Sequence, residues 1–155
     1  MKKEQVFQGF CQQVLSFNSS IRFVGIADEH GSLLAVSERK GLNPLLNPEE
    51  RSQYAITSAT RQYTRLRWQY LLGNIEYATS VYEKLIRATI PITDKDNRLA
   101  FVILMSFDTG TDNYNGIIKN NILPLVSKYK GQLLEEKKQI GRRTPKNSYY
   151  KSIST

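Results

Sequence analysis

Leu85–Phe107 reads LIRATIPIT, DKDNR, LAFVILMSF. In its first part Ile86, Ala88, Ile90 and Ile92 alternate with Leu85, Arg87, Thr89 and Pro91. That is the two-residue period of a strand, and the isoleucine set is expected to be its buried face. Segment 93–98 (TDKDNR) is polar and rich in turn formers. Leu99–Phe107 is apolar on both faces, which marks a central strand covered on both sides. Together these segments predict an antiparallel hairpin with one strand deep inside a sheet.

The flanking sequence supplies the rest of the sheet. Ile75–Glu83 (IEYATSVYE) alternates in part and predicts a third strand beside the hairpin. Further back, Ile21–Ala27 (IRFVGIA) and Ser32–Ser37 (SLLAVS) are short strands joined by the turn Asp28-Glu29-His30-Gly31. Residues 3–17 carry Val6, Phe7, Phe10, Cys11, Val14 and Leu15 at helical spacing, and Asn18-Ser19-Ser20 ends that helix. Asn47-Pro48-Glu49-Glu50 opens a second helix, with Asn47 as N-cap, Pro48 in the first turn and Glu50 completing a capping box. That helix runs to about Leu66, with Tyr54, Ala55, Ala59, Gln62, Tyr63 and Leu66 along one face. A long connection, 67–74, follows unless the helix extends to Leu72. A last helix starts near Tyr114, with Asp112 or Asn113 as its cap, and Pro124 is expected to kink or restart it.

The order helix, strand, strand, helix, strand, strand, strand, helix is an α+β domain with a five-stranded antiparallel sheet and three main helices. The expected division is a domain over 1–130 and a basic tail over 131–155, helical to about Ile140 and then disordered.

Element order and size over roughly residues 3–130 resemble the roadblock/dynein light chain family, one of the profilin-like folds. The stretches Ile21-Arg22-Phe23-Val24-Gly25-Ile26, Lys40-Gly41-Leu42-Asn43-Pro44-Leu45 and Leu72-Gly73-Asn74-Ile75-Glu76-Tyr77 also resemble a family of small archaeal proteins without an assigned activity. The roadblock resemblance implies Leu99–Phe107 in mid-sheet and Ile75–Glu83 at an edge. It implies homodimers that join those edges through Ile75, Tyr77, Thr79 and Val81 and pack the central helices through Tyr54, Arg61 and Arg65. It also implies a scaffold or regulator, often of small GTPases, rather than an enzyme. The edge has a physical basis of its own: Tyr77–Tyr82 carries no charge, and an uncharged edge invites pairing with another chain.

Charge separates body from tail. The chain of 155 residues carries a net charge of +8. From Lys128 onward there are eight basic and two acidic residues, so most of the excess lies at the C-terminal end. Lys137, Lys138, Arg142, Arg143 and Lys146 are therefore the expected contact for an anionic partner, whether a protein, an anionic surface or, weakly, nucleic acid. Tyr54, Tyr63, Trp68 and Tyr70, interleaved with Arg51, Arg61, Arg65 and Arg67, suit a protein interface or stacked bases, or simply a core stripe with a charged outer face.

Catalytic patterns are scarce. Asp108-Thr109-Gly110 matches one half of an aspartic-protease pair, and the second half is missing from the sequence. Asp94, Asp96 and Asn97 begin like a calcium loop, but Leu99 and Met105 occupy its required Gly and Glu positions. His30 is the single histidine and Cys11 the single cysteine, which excludes a two-His zinc site and an internal disulfide, and His30 stands in a turn with Asp28 and Glu29, so triad chemistry is not expected. No glycine-rich phosphate loop is present. The expectation is a cytoplasmic, non-enzymatic interaction module without cofactor or metal, and with no membrane span. The alternatives are a small-ligand sensor of profilin-like fold, for which a buried Arg87 would be a sign, and a nucleic-acid-associated protein.

Overall fold

The computed structural model describes residues 4–143. In chain order the elements are α1 (Glu4–Leu15), β1 (Ile21–Asp28), β2 (Leu33–Glu38), α2 (Pro48–Leu66), a single turn α3 (Gln69–Leu72), β3 (Ala78–Val81), β4 (Leu85–Thr93), β5 (Leu99–Asp108), α4 (Tyr114–Ile117), a π-helical turn (Ile118–Ile122) and α5 (Leu123–Arg143). The strands form one five-stranded sheet in the order β2-β1-β5-β4-β3, and every neighbouring pair is antiparallel. β5 is central, as its two apolar faces predict, and β3 is an edge, as the roadblock resemblance implies.

Both faces of the sheet are covered. Phe101, Ile103, Met105 and Phe107 of β5 point to one side, where they join Phe7, Phe10 and Val14 of α1 and Ile118, Ile122, Leu125 and Leu133 of the C-terminal helical segment. Phe7 meets Phe101 edge-on at 5.6 Å between ring centres. Val102, Leu104 and Leu99 point to the other side, against Ala55 and Ala59 of α2. The small residues of α2 let its backbone lie close to the strands.

This arrangement corrects the expected single buried face of β4. Ile86, Ala88, Ile90 and Ile92 face the larger core, yet Leu85 and Thr89 on the opposite side are buried too, beneath α2. The inward stripe of α2 is Ala55, Ser58, Ala59 and Gln62. Tyr63, expected on that stripe, is about half exposed and donates its hydroxyl to the Glu29 carbonyl.

Turn chemistry follows the residues. Asp28 Oδ1 accepts from the backbone N–H of His30 and Ser32, and Asp94 Oδ1 accepts in the same way from Asp96 and Arg98. Such side-chain closures are what Asp supplies at a hairpin. Gly31 has φ +86°, and a Cβ there would overlap Ile56 Cα and stand 2.9 Å from Ala55 O, so the β1–β2 turn touches the backbone of α2. The Asn47 capping box is complete. Asn113, by contrast, makes no side-chain capping bond. The nearby turn is held instead by Thr111, whose hydroxyl donates to Asp108 O at 2.7 Å.

Pro124 lies at the second position of α5, directly after the π turn. A proline has no N–H for the bond to the residue four back, and a locally wider turn absorbs the mismatch. The helix then runs without interruption through Gly131 to Arg143, three residues into the segment expected to be disordered. Leu133 is fully buried.

Candidate interaction surface

The outer edge is shorter than the sequence suggests. β3 spans only Ala78–Val81. Ile75 and Tyr77 precede it: the Ile75 N–H is bound by Gln69 Oε1 at 3.1 Å, and the Tyr77 hydroxyl donates to Asn115 Oδ1 at 3.1 Å. Glycine at 73 with φ +83° and the exposed α3 turn consume the length expected for strand. Thr79 and Val81 lie within the strand.

The hairpin fixes which backbone groups face out. Tyr82 N–H donates to Leu85 O at 2.9 Å, closing the β3–β4 turn. Ser80 pairs with Arg87 and Ala78 with Thr89. Antiparallel ladders alternate, so Ala78, Ser80 and Tyr82 spend their backbone groups on β4 while Thr79 and Val81 present theirs outward. No other strand among the described residues covers that side. Val81 and Tyr82 are 67% and 51% exposed, so the edge ends in an open apolar corner. The neighbouring α3 turn adds Tyr70, Leu71 and Leu72, all exposed.

The helix residues behave differently from one another. Arg61 is exposed, Arg65 is half-buried with Nη1 3.3 Å from Thr89 Oγ1, and Tyr54 is half-buried with the Arg87 guanidinium stacked 3.6 Å from its ring centre. Tyr54, Arg61 and Arg65 lie on the α2 face of the sheet with Ala78 and Ser80. Thr79 and Val81 project their side chains to the opposite face, by the alternation of a strand. The two predicted sets therefore meet through the backbone of β3 rather than through side chains.

Arg87 is the residue that sequence reading placed on an exposed face. It is half-buried, and Tyr54 holds it by a cation–π stack. Beside it, Gln62 is fully buried and donates Nε2 to Thr89 Oγ1 at 3.2 Å. Gln62 Oε1 and Ser58 Oγ are buried side-chain atoms without a hydrogen-bond partner among the described residues. Their only trace in the sequence is two polar residues on an otherwise alanine-lined helix face.

A recess lies at the N-terminal end of α2. Phe23, Leu42, Leu45, Leu104, Arg51 and Arg87 are among its walls. Arg51 is paired with Glu38 and stacks 4.9 Å from the Phe23 ring centre.

The other motifs are structural. Asp108 of the Asp-Thr-Gly triplet accepts from Arg39 at 2.7 and 2.8 Å and from Arg22 at 3.1 Å. The Arg39 guanidinium, with help from Arg22, holds its carboxyl below the ordinary carboxylate range. A carboxylate so fixed ties β1, β5 and the segment after β2 together and is poorly suited to carry a proton. Cys11 is buried among α1 core residues, and burial pushes its thiol up to about 12. No group of three His, Cys, Asp or Glu suited to a metal ion occurs among the described residues.

The basic residues of α5 are not equivalent. Lys137 Nζ bonds Glu29 Oε1 at 2.9 Å and Ala100 O at 3.2 Å, and lies 5.0 Å from the Phe101 ring centre. Lys138 and Arg142 are exposed. Arg143 is the last described residue, and Lys146 lies outside the described residues. No helix among the described residues is long and apolar enough to cross a membrane.

No family model matches the chain. No curated protein matches it either. Solved structures do. A gliding protein MglB from Thermus thermophilus is 15% identical, with TM-score 0.67, over 88% of this chain and 93% of that one. A roadblock/LC7 domain from Streptomyces avermitilis is 8% identical, with TM-score 0.62, over 82% and 97%. MglC from Myxococcus xanthus is 9% identical, with TM-score 0.54, over 83% and 99%. Identities this low speak for fold alone. With β5 central, β3 at the rim, α2 on one face and α1 with α5 on the other, this chain is a roadblock-like α+β domain.

Proposed function

We propose that this protein is a non-enzymatic interaction module that pairs with a second copy of itself and acts as a scaffold or regulator. The observation that carries the reading is the open edge of β3, whose Thr79 and Val81 backbone groups face outward beside exposed Val81 and Tyr82. Unpaired N–H and C=O groups on an uncharged edge gain most by joining another strand. Two copies joined there would form one continuous sheet, with the α2 helices side by side on the same face. The solved MglB structure described as having a tetrameric arrangement offers a precedent for assembly by this fold.

Regulation of a small GTPase, and a cytoplasmic setting, belong to the same reading. They are supported by the likeness to roadblock domains. The exposed Lys138 and Arg142, with Arg143 and Lys146 beyond them in sequence, would add a contact for an anionic partner. Sedimentation of the full chain over a wide concentration range tests the core of the proposal. A concentration-dependent monomer–dimer equilibrium is expected, and a monomer at every concentration overturns it.

A second reading, a small-ligand sensor, is favoured by the recess at the N-terminal end of α2. Its lining is mostly apolar with a few polar side chains, which is the ordinary composition of a ligand site.

A further inference from the structure

We infer that the cleft between α2 and the β3–β4 hairpin binds a phosphate dianion, either free or carried as a monoester. The inference rests on the single chain and does not depend on self-pairing. Tyr54, Ser58, Arg61 and Arg65 recur at spacings of four, three and four, which places them on one face of α2. Across from them stand Arg87 and Thr89 of β4 and Ala78 and Ser80 of β3. Together they line a narrow cleft that is open to solvent.

Charge is the first argument. Three guanidinium groups line this cleft and no carboxylate does. Arg22, Arg39 and Arg51 each have an acidic partner. Arg61, Arg65 and Arg87 form no ion pair among the described residues. Unneutralised like charges held in one cleft repel, and an anion between them removes that repulsion.

Hydroxyl placement is the second and independent argument. On the same helix Thr57 and Thr60 turn their hydroxyls back to the carbonyls of Gln53 and Ile56, each at 3.0 Å. Ser58 does not. Its Oγ is buried without a hydrogen-bond partner among the described residues, and Ser58 is one of the residues lining the cleft. A buried hydroxyl left unpaired is costly, so its retention on an alanine-rich face points to a ligand.

Preorganisation is the third. Tyr54 fixes the plane of Arg87 by stacking, and Thr89 Oγ1 accepts from Arg65, which anchors that side chain at the cleft floor. Both guanidinium groups keep further N–H donors for a ligand. Three guanidinium groups lining one cleft suit an acceptor with three equivalent oxygens better than a carboxylate with two.

The test titrates the full chain with inorganic phosphate, with phosphoserine and with chloride at matched ionic strength. The readouts are arginine side-chain NMR signals and the thermal midpoint. Saturable phosphate binding is expected, weakened about tenfold or more by Arg61→Gln, which lies exposed at the rim and leaves the core intact. Ser58→Ala should weaken it without lowering the melting temperature. Phosphoserine tighter than phosphate assigns the monoester of a modified partner, and equal affinity assigns the free ion. Non-saturating shifts reproduced by chloride, or Arg61→Gln binding like wild type, overturn the inference.

Discussion

Replacing Thr79 with proline separates the ladder that β3 makes with β4 from the edge it offers to another chain. The β3–β4 register assigns the inward bonds to Ala78, Ser80 and Tyr82. The Thr79 N–H points out, so proline there removes no bond within the sheet, and proline is tolerated on the outer side of an edge strand. Joining two copies across a two-fold axis uses that N–H once in each copy. Loss of both bonds, at about 0.5–1.5 kcal/mol net apiece, weakens pairing by about 1–3 kcal/mol. That corresponds to roughly a five- to 150-fold rise in the dissociation constant.

Sedimentation equilibrium measures this directly, with thermal melts of the monomeric population as the control. Ser80→Pro provides the contrast, because its N–H belongs to the ladder and its loss should lower the melting temperature. A dissociation constant unchanged in Thr79→Pro, alongside wild-type stability, would show that copies meet somewhere other than this edge.

Four further outcomes follow from the geometry. Gly31→Ala forces a left-handed backbone on a Cβ that overlaps Ile56, so stability should fall by about 2 kcal/mol or more and the melting temperature by roughly 5 °C; an unchanged melt would mean that the β1–β2 turn does not seat α2. Asp108 has a lowered pKa in the folded state, so its stabilisation is present above its unfolded value and is lost as pH falls through the folded one. Denaturation of Asp108→Asn should therefore show a deficit at pH 7 that closes in acid, and a deficit independent of pH would refute the ion-pair account. Cys11, with its thiol pushed up to about 12, should resist iodoacetamide at pH 8 until the protein is unfolded, which mass spectrometry reads. Lys137→Met should lower stability through loss of its Glu29 and Ala100 bonds, whereas the double change Lys138→Gln and Arg142→Gln should leave melts unchanged while reducing salt-sensitive binding to an anionic partner.

Much of the fold was legible because strong local signals agreed with the global arrangement. LAFVILMSF could only be a doubly covered strand, and Asn47-Pro48-Glu49-Glu50 specified the start of α2 to the residue. The candidate site was legible only in part. Thr79 and Val81 could be placed on an edge only through the roadblock resemblance, and their uncharged neighbourhood marked that edge as one suited to pairing. The shortness of β3 could not be foreseen, because it comes from a positive-φ glycine at 73 and from Tyr77 reaching to Asn115 across the fold. Arg87 was read as exposed from its neighbours in sequence. Its cover is supplied by Tyr54, more than thirty residues earlier, and no periodicity within β4 carries that information.

The boundary near residue 131 shows the same limit from the other side. Composition turns polar there because an amphipathic helix on the outside of a domain shows mostly polar residues, whether or not it is packed. Leu133 is fully buried, and the Lys137 ammonium bonds Glu29 and lies 5.0 Å from the Phe101 ring centre. A long cationic side chain can cover apolar surface and end in a salt bridge, so a lysine in a basic run is not necessarily an available charge. Of the five basic residues singled out for an anionic partner, Lys137 is thus part of the folded body. Lys138 and Arg142, four residues apart on α5 and exposed, are the two whose charge the described structure leaves facing solvent. Counting charges along a chain gives the sign of a surface, and packing decides which of those charges a partner can reach.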